Sequence, residues 1–555
     1  MSRRDGRFPV RVRAVVLAFL LVASAGCLGV GGDLGGLSAD DGTDIDFRDR
    51  TDAVGLDYRT DGGGAGNGDD GVYVADYDRD GWRDVLAVGG DRPALFRNAG
   101  GEFERVDGFP EFGEAVKSAL FVDYDGDGWD DLLLLRSGAE PVLLDNEAGT
   151  FERSDASFGN LTYPLGATAA DYDRDGDLDL LIYQSGDWKT GKPEGYFGLT
   201  HFVAEDNGNP NVLYENTDDG FERVTDAGVS GADRWSLAAS FVDLNGDRLP
   251  DVHVANDYNT DVVYINEGNG SFEERLIRGN TSRNGMSSEV ADVNGDGAQD
   301  VFTTNIYLPL DEVEDDERHE RLRLLFGYVL KSGRTKGNTL MLNDGEGTLT
   351  DRAVTYRVRQ GGWGWAASLA DLDNDGDRDL IHATQNVVRI DQDDPHYTHP
   401  MLFERDGETF ENLDASARNL SEHDGRGLVT FDYDRDGDRD VVIAPYDGNV
   451  TVYENVGATA NSVAFRVVDA NGSTVYGAEV TVAGPGGPTE IQQTVESDFL
   501  SQESRVFHLG LGDRERTDLT VVWPDGTERT FEDVAANQQL RITENGTETV
   551  VDYGG

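Results

Sequence analysis

Asp76-Tyr77-Asp78-Arg79-Asp80-Gly81-Trp82-Arg83-Asp84 places acids at positions 1, 3, 5 and 9 of a nine-residue stretch and glycine at position 6. The pattern returns at Asp123/Asp125/Asp127/Asp131, Asp171/Asp173/Asp175/Asp179, Asp371/Asp373/Asp375/Asp379 and Asp432/Asp434/Asp436/Asp440. Two further copies carry asparagine at position 3: Asp243/Asn245/Asp247/Asp251 and Asp292/Asn294/Asp296/Asp300. In the first of these, Arg248 stands where the others have glycine. Alternating carboxylates on a tight turn converge on one point, and calcium takes six to eight hard oxygen ligands at about 2.3–2.6 Å. Glycine at position 6 permits the reversal that lets the ninth-position aspartate close the shell. An EF-hand starts similarly but needs a bidentate glutamate at position 12 and helices on either side. Position 12 is Ala87, Leu134, Ile182, Val254, Thr303, His382 or Ile443, so that ligand is missing and EF-hands are rejected. The spacing predicts up to seven structural calcium sites.

Each loop is followed by a short apolar run, such as Val85-Leu86-Ala87-Val88 or Val441-Val442-Ile443, which reads as a strand. A second element comes after a gap: Leu95-Phe96-Arg97-Asn98 then Gly101-Glu102-Phe103, or Val263-Tyr264-Ile265-Asn266 then Gly270-Ser271-Phe272. An aliphatic strand, an Asn/Gly turn and a Phe-led strand form a hairpin. One repeat is therefore about four strands, and radial closure of such units suits a seven-bladed β-propeller, which leaves only short edges. The last repeat has its strand at Val450 to Asn455 but no Phe-led partner. Phe47 to Leu56, ahead of the first loop, resembles the Phe-led segments and is expected to complete the last blade.

The seven loops resemble FG-GAP/VCBS repeats of integrin-α-type propellers, over residues 46–456. The resemblance implies calcium ligands from the side chains at positions 1, 3, 5 and 9 and a main-chain carbonyl at position 7. Trp235 to Ala239 and Gly364 to Ser368 are similar to that family's strand entering the loop. From about Gly457 the loops cease, and four signatures follow: Tyr476-Gly477-Ala478-Glu479-Val480, Phe499-Leu500-Ser501-Gln502, His508-Leu509-Gly510-Leu511-Gly512 and Val522-Trp523-Pro524-Asp525-Gly526. Together they resemble the ASPIC/UnbV domain, and the combination resembles cartilage acidic protein-like secreted proteins. The expected fold class is all-β, the propeller being followed by a small β-sandwich-like domain over 457–555. Taken alone, His508 reads as a packed side chain and Trp523 to Gly526 as a strand-to-turn.

Arg3, Arg4, Arg7, Arg11 and Arg13 precede the apolar run Ala14 to Val22 and the small residues before Cys27, the one cysteine of the chain. This reads as a signal peptide over 1–27. The apolar run is too short for a span of about 20 residues. The approach to Cys27 resembles a lipobox, which implies lipidation of that cysteine. Arg3-Arg4 also resembles a twin-arginine signal. Residues 28–45 are Gly- and Asp-rich and read as a tether. The expectation is an exported protein, lipid-anchored at the outer face of the cytoplasmic membrane.

Composition narrows the partners. Among 555 residues, 107 are acidic and 47 basic, a formal charge of −60. Such a surface repels phosphate backbones, so nucleic acid is not an expected partner. Lysine is confined to Lys117, Lys189, Lys192, Lys331 and Lys336. Excess aspartate with scarce lysine resembles proteins of extreme halophiles, in whose salt the Debye length falls to about 3 Å at 1 M.

Long linkers at 184–210, 305–337 and 386–400 are candidate binding segments. Trp188, Tyr196 and Phe197 in the first suit a carbohydrate or protein face or a structural cap, and Arg318 to Phe326 in the second reads as a helix. His396 and His399 lack the glutamate of a zinc-protease helix. Trp363 and Trp365 read as strand residues rather than as part of a quinone-cofactor site. Seven Asn-x-Ser/Thr sequons, at Asn160, Asn269, Asn280, Asn419, Asn449, Asn471 and Asn545, permit glycosylation outside the cell. No nucleophile elbow, phosphate loop or Cys/His pairing occurs, and no catalytic residue is assigned. The expected role is adhesion or binding of a surface protein or glycan. An extracellular enzyme acting on a polymer and an envelope scaffold are the alternatives.

Overall fold

Short β-branched and aliphatic runs separated by tight acidic turns give strands of two to eight residues, joined mostly to their sequence neighbours. The computed structural model describes residues 44–61, 70–90, 92–112, 116–136, 138–186, 208–217, 219–229, 233–277, 282–307, 336–385, 399–495 and 497–553. Among the described residues there is no helix, hence none long and apolar enough to cross a membrane. Cys27, Trp188, Tyr196, Phe197, Asn280, the 318–326 segment and His396 lie outside the described residues.

Four-stranded antiparallel meanders recur in a β-propeller-like arrangement. Sheet 1 comprises Gly71–Ala75, Asp84–Val88, Ala94–Asn98 and Phe103–Arg105, and sheet 2 Val116–Val122, Asp131–Arg136, Val142–Asn146 and Phe151–Arg153. Sheets 3, 4, 5 and 6 begin at Pro164–Ala170, Trp235–Val242, Glu289–Ala291 and Trp363–Ala370. Sheet 7 holds Gly425–Phe431, Asp440–Pro445 and Thr451–Asn455, and its fourth strand is Phe47–Asp49 from the other end of the chain. That strand runs antiparallel to the third, with Phe47 opposite Asn455 and Asp49 opposite Tyr453. The first strand of each sheet packs on that of the next, and the first strand of sheet 7 packs on that of sheet 1. Apolar side chains fill the space between neighbouring sheets; Val72, Val85 and Phe96 of sheet 1, for example, share a core with Val429, Val442 and Val452 of sheet 7. The ring thus closes through a strand pairing and a shared core.

After residue 457 two more four-stranded sheets share one core. One holds Phe507–Gly512, Asn461–Val467, Gln538–Thr543 and Gly546–Asp552; the other holds Gly487–Gln492, Glu479–Gly484, Arg516–Val522 and Glu528–Ala535. Their inward residues include Val463, Phe465, Val480, Val482, Leu509, Leu519, Val521, Trp523 and Leu540.

One excursion from this part of the chain enters the ring. Ser497–Asp498 and Ser501–Gln502 pair as a tiny hairpin, with Leu500 at φ +52° in the turn. Ser501–Gln502 extends sheet 1 in parallel, Val72 facing Ser501 and Tyr73 facing Gln502. Phe499 and Leu500 are buried in the core formed by Leu165, Leu237, Ala239, Trp365 and Leu428. Polar groups of the excursion are bonded to the first strands around the ring. Val72 N donates to Leu500 O at 3.1 Å, Phe121 N to Gln502 Oε1 at 2.8 Å, and Thr168 Oγ1 to Val495 O at 3.4 Å. Ser288 N, just before the first strand of sheet 5, and Ala367 N of sheet 6 each donate at 2.8 Å to one oxygen of Asp498. Thr430 N of sheet 7 donates to Glu503 Oε1 at 3.1 Å. A segment that reaches all these strands lies where they converge, on the axis of the ring. The Phe499-Leu500-Ser501-Gln502 signature carries no mark of this destination.

Candidate metal centres in seven repeated loops

Each acidic stretch joins the first strand of a sheet to the second, and its backbone geometry repeats seven times. The ninth-position aspartate, buried at the start of the second strand, accepts two backbone N–H groups. One comes from position 2 of its own loop, at 2.9–3.3 Å. The other comes from the third strand, at 2.7–2.9 Å, from Asn98, Asn146, Asn216, Asn266, Asn343, Arg405 or Asn455. The side chain at position 1 accepts the position-6 N–H, as in Gly81 N to Asp76 Oδ1 at 3.2 Å and Gly376 N to Asp371 Oδ2 at 3.0 Å. Position 5 accepts the position-7 N–H, as in Trp129 N to Asp127 Oδ1 at 2.8 Å. The backbone therefore orients the carboxylates before any ion arrives.

Two residues in every loop are left-handed. Position 6 is glycine in six loops and Arg248, at φ +64°, in the other. Position 4 is Arg79, Gly126, Arg174, Gly246, Gly295, Asn374 or Arg435, with φ between +56° and +75°. Four of these seven residues carry a side chain, so the second reversal gave no glycine signal in the sequence.

In loops 1, 2, 3 and 6 the carboxylates come together. Oxygens of Asp76, Asp78 and Asp84 lie within 4.8 Å of one another, as do those of Asp123, Asp125 and Asp127, of Asp171, Asp173 and Asp179, and of Asp371, Asp373 and Asp379. Asp173 and Asp175 form a further group with Glu215, a residue the sequence reading did not nominate. Burial first, and the neighbouring carboxylates with it, push the ninth-position acids up: Asp84 to about 9, Asp131 and Asp179 to about 8, Asp251 and Asp300 to about 7, with Asp379 and Asp440 well above the usual range. Buried oxygens Asp171 Oδ1, Asp371 Oδ1 and Asp434 Oδ1 meet no hydrogen-bond donor. Asp123 Oδ1 meets no well-formed donor either, although the Ser473 hydroxyl lies beside it. Packed, negatively charged and under-donated oxygens are what a hard cation satisfies, so the residues present fit a metal ion.

Loops 4 and 5 differ from the others in their internal hydrogen bonds. The spacing nominates Asn245, Asp247, Asn294 and Asp296 as ligands, and all four are also hydrogen-bonded within their own loops. Asn245 Oδ1 accepts Asp247 N at 3.0 Å and Asn294 Oδ1 accepts Asp296 N at 2.9 Å. An aspartate at position 3 would keep a second oxygen for the ion, whereas the amide has only a donor there. That donor points at position 5: Asn245 Nδ2 lies 3.0 Å from Asp247 Oδ2, and Asn294 Nδ2 lies 2.8 Å from Asp296 Oδ2. The remaining oxygen of each position-5 acid accepts the position-7 N–H, Leu249 N at 2.9 Å and Ala298 N at 3.0 Å. Loops 4 and 5 thus carry an amide-to-carboxylate hydrogen bond between positions 3 and 5.

The third-strand asparagines have a second task. Asn98 Nδ2 donates to Tyr433 O in loop 7 at 2.7 Å, Asn146 to Tyr77 O in loop 1 at 2.8 Å, and Asn216 to Tyr124 O in loop 2 at 2.9 Å. Asn266, Asn343 and Asn455 reach Tyr172 O, Leu244 O and Leu372 O, and in sheet 6 the Arg405 guanidinium reaches Val293 O. Every sheet thus clasps the loop of the sheet before it, around the whole ring. In the sequence these asparagines read as turn residues.

Comparison with known proteins agrees with this repeat. An FG-GAP-like repeat model matches residues 76–134, 123–182, 243–303 and 328–382, and an ASPIC and UnbV model matches 469–549. The chain carries FG-GAP-like repeats followed by an ASPIC/UnbV domain. Loop 7 lies outside the matched spans yet keeps the FG-GAP hydrogen bonds of the others. The ASPIC/UnbV match includes the excursion into the ring, so that hairpin belongs to the same module as the two carboxy-terminal sheets. No curated protein matches the chain. Among solved structures, a crystal structure of a protein from Lactobacillus plantarum is similar over 62% of this chain and 83% of that one, at 10% identity and a TM-score of 0.35.

The ASPIC/UnbV domain also docks on the FG-GAP loops. His508 is buried, with Nε2 2.6 Å from Asn374 Oδ1 in loop 6, and its ring is held well below the ordinary histidine range by burial. Gly510 N donates to Asp371 Oδ2 at 2.7 Å, and Gln492 Oε1 accepts from Asp243 N at 2.8 Å. His508 is a packing residue at this junction.

Proposed function

We propose that this chain is a calcium-stabilised, seven-bladed β-propeller with a carboxy-terminal β-sandwich, exported and held at the outer face of the membrane by a lipid on Cys27. Its role is binding of a surface protein or glycan, without catalysis. The observation that carries the reading is the pairing of a ring of acidic loops with an axis filled by the chain's own segment. Ions in the loops and the hairpin on the axis make a rigid body, and the axial position where a propeller would take a small substrate is already occupied. That leaves the peripheral faces and the long linkers for a partner. One described face is a polar cleft of about 570 Å³ lined by residues including Asp49, Asp52, Glu422, His423 and Asp447, which presents acceptors to hydroxyl groups. The six described sequon asparagines are exposed, in keeping with an extracellular setting. The test is retention of native envelope components by the purified protein at high salt, with and without calcium. Saturable, calcium-dependent retention is expected. Absence of retention together with turnover of an extracellular polymer would overturn the reading in favour of an enzyme.

A further inference from the structure

The seven loops are not equivalent, and one register position separates them. The residue immediately before the clasp position on the third strand is Arg97, Asp145, Glu215, Ile265, Leu342, Glu404 and Glu454 in sheets 1 to 7. In sheets 1, 2 and 3 its contacts show it facing the loop, while in sheet 7 Glu454 is ion-paired with Arg48 and Arg50 at 3.5 and 3.1 Å. Tyr124 OH of loop 2 donates to Asp145 Oδ1 at 3.0 Å, and Glu215 shares a ligand-sized cluster with Asp173 and Asp175. In sheet 1, Arg97 Nε donates to Asp78 Oδ2 at 2.6 Å and its Nη2 to Asp80 Oδ2. Arg83 Nη1 lies 3.1 Å from Asp76 Oδ2. Two guanidinium groups therefore neutralise the carboxylates that an incoming cation would need.

An independent observation divides the loops the same way. Buried ligand-position oxygens without a well-formed donor occur at Asp123, Asp171, Asp371 and Asp434, in loops 2, 3, 6 and 7. These are the four loops whose facing residue is an acid. Among the described residues, no ligand-position carboxylate of loops 1, 4 and 5 has an oxygen in that state. Charge count then ranks the sites, because calcium affinity rises with the number of carboxylates around the ion. Loop 3 with Glu215 brings five carboxylates to its site, and loop 1 brings four set against two arginines. Loops 4 and 5 bring three, one of them bonded to the asparagine amide.

We propose that among the loops with four aspartates the facing residue decides cation occupancy: loops 2, 3, 6 and 7 hold a divalent cation, while Arg97 closes loop 1 as a built-in counter-ion. The proposal rests on the calcium reading of the loops given above. Equilibrium dialysis with radiolabelled calcium at constant high salt tests it on the full chain, comparing wild type with Arg97→Glu, Arg97→Leu and Glu215→Arg. Arg97 is about 42% exposed, so its substitution leaves the packing intact, and circular dichroism verifies the fold of each variant. One additional ion per chain is expected for both Arg97 variants, and one fewer for Glu215→Arg. Calcium bound by wild type with an unchanged count in the Arg97 variants would overturn this proposal alone. A wild type that binds no calcium would overturn the calcium reading and the proposal together.

Discussion

Asp498 offers the sharpest test of the axial hairpin. Its carboxyl is buried, and its two oxygens accept Ser288 N and Ala367 N at 2.8 Å each, bridging two neighbouring sheets. Asp498→Ala leaves both N–H groups in the interior without an acceptor, at about 1–3 kcal/mol each. The expected loss is therefore about 2–6 kcal/mol at pH 5. Burial raises the Asp498 carboxyl to about 7, above its unfolded value of about 4. The sign follows: stability from the protonated form is complete below the unfolded value and is lost as pH rises to and through about 7, after which the slope ends. From pH 5 to pH 8 the wild type gives up roughly 3 kcal/mol of it, at about 1.4 kcal/mol per pH unit, so its advantage over Asp498→Ala narrows by up to that amount. Urea unfolding at constant high salt and saturating calcium, at both pH values, measures the difference. A loss at pH 5 below about 0.5 kcal/mol, the range of an ordinary surface substitution, would refute the claim that the hairpin ties the ring together. A gap that widens with pH would refute the buried-carboxyl account.

The ninth-position carboxyls, raised to about 7 to 9, make cation-free protein lose stability as pH climbs from their unfolded range up through those values; calcium should flatten the slope, as thermal melts with and without chelator would show. Asn98→Ala removes the clasp from sheet 1 to loop 7 and should cost about 1–3 kcal/mol in denaturant unfolding, a donor to Tyr433 O and an acceptor for Gly101 N being lost. Deleting residues 46–58 uncovers the Thr451–Asn455 strand, and calorimetry should record one lowered, cooperative transition rather than loss of a single sheet. Cys27→Ala should move the protein from membranes to the medium, read by fractionation.

The loops were legible because ion coordination constrains both residue type and spacing, and a sevenfold repeat of that constraint stands out from an acidic background. Spacing alone does not show that in loops 4 and 5 the amides of Asn245 and Asn294 turn a donor towards Asp247 and Asp296. The closing strand was legible through Phe47, which takes the place opposite Asn455 that Phe103 takes opposite Asn98 in sheet 1. The axial hairpin was not legible, because Asp498, Gln502 and Glu503 bond to backbone groups of strands more than 70 residues away, and such contacts leave no local pattern. Clasping asparagines were visible as a recurrence but carry no mark of their acceptor on another sheet. Arg405 breaks even that recurrence while keeping the bond.

The −60 charge contains two populations that should answer to different perturbations. Seven fully occupied loops would offset 14 of those charges at most, leaving the larger share as a spread coat. Coat charges are exposed and repel through solvent, so concentrated salt screens them and dilution restores the repulsion. The buried loop carboxylates sit beyond such screening and respond to a cation held among them. Dilution with calcium kept saturating should therefore destabilise the protein through the coat, and chelation at constant high salt should do so through the loops. With no disulfide among the described residues to fasten the ring, either route has to act through the same hydrogen bonds: the Phe47–Asp49 pairing, the asparagine clasps and the axial hairpin.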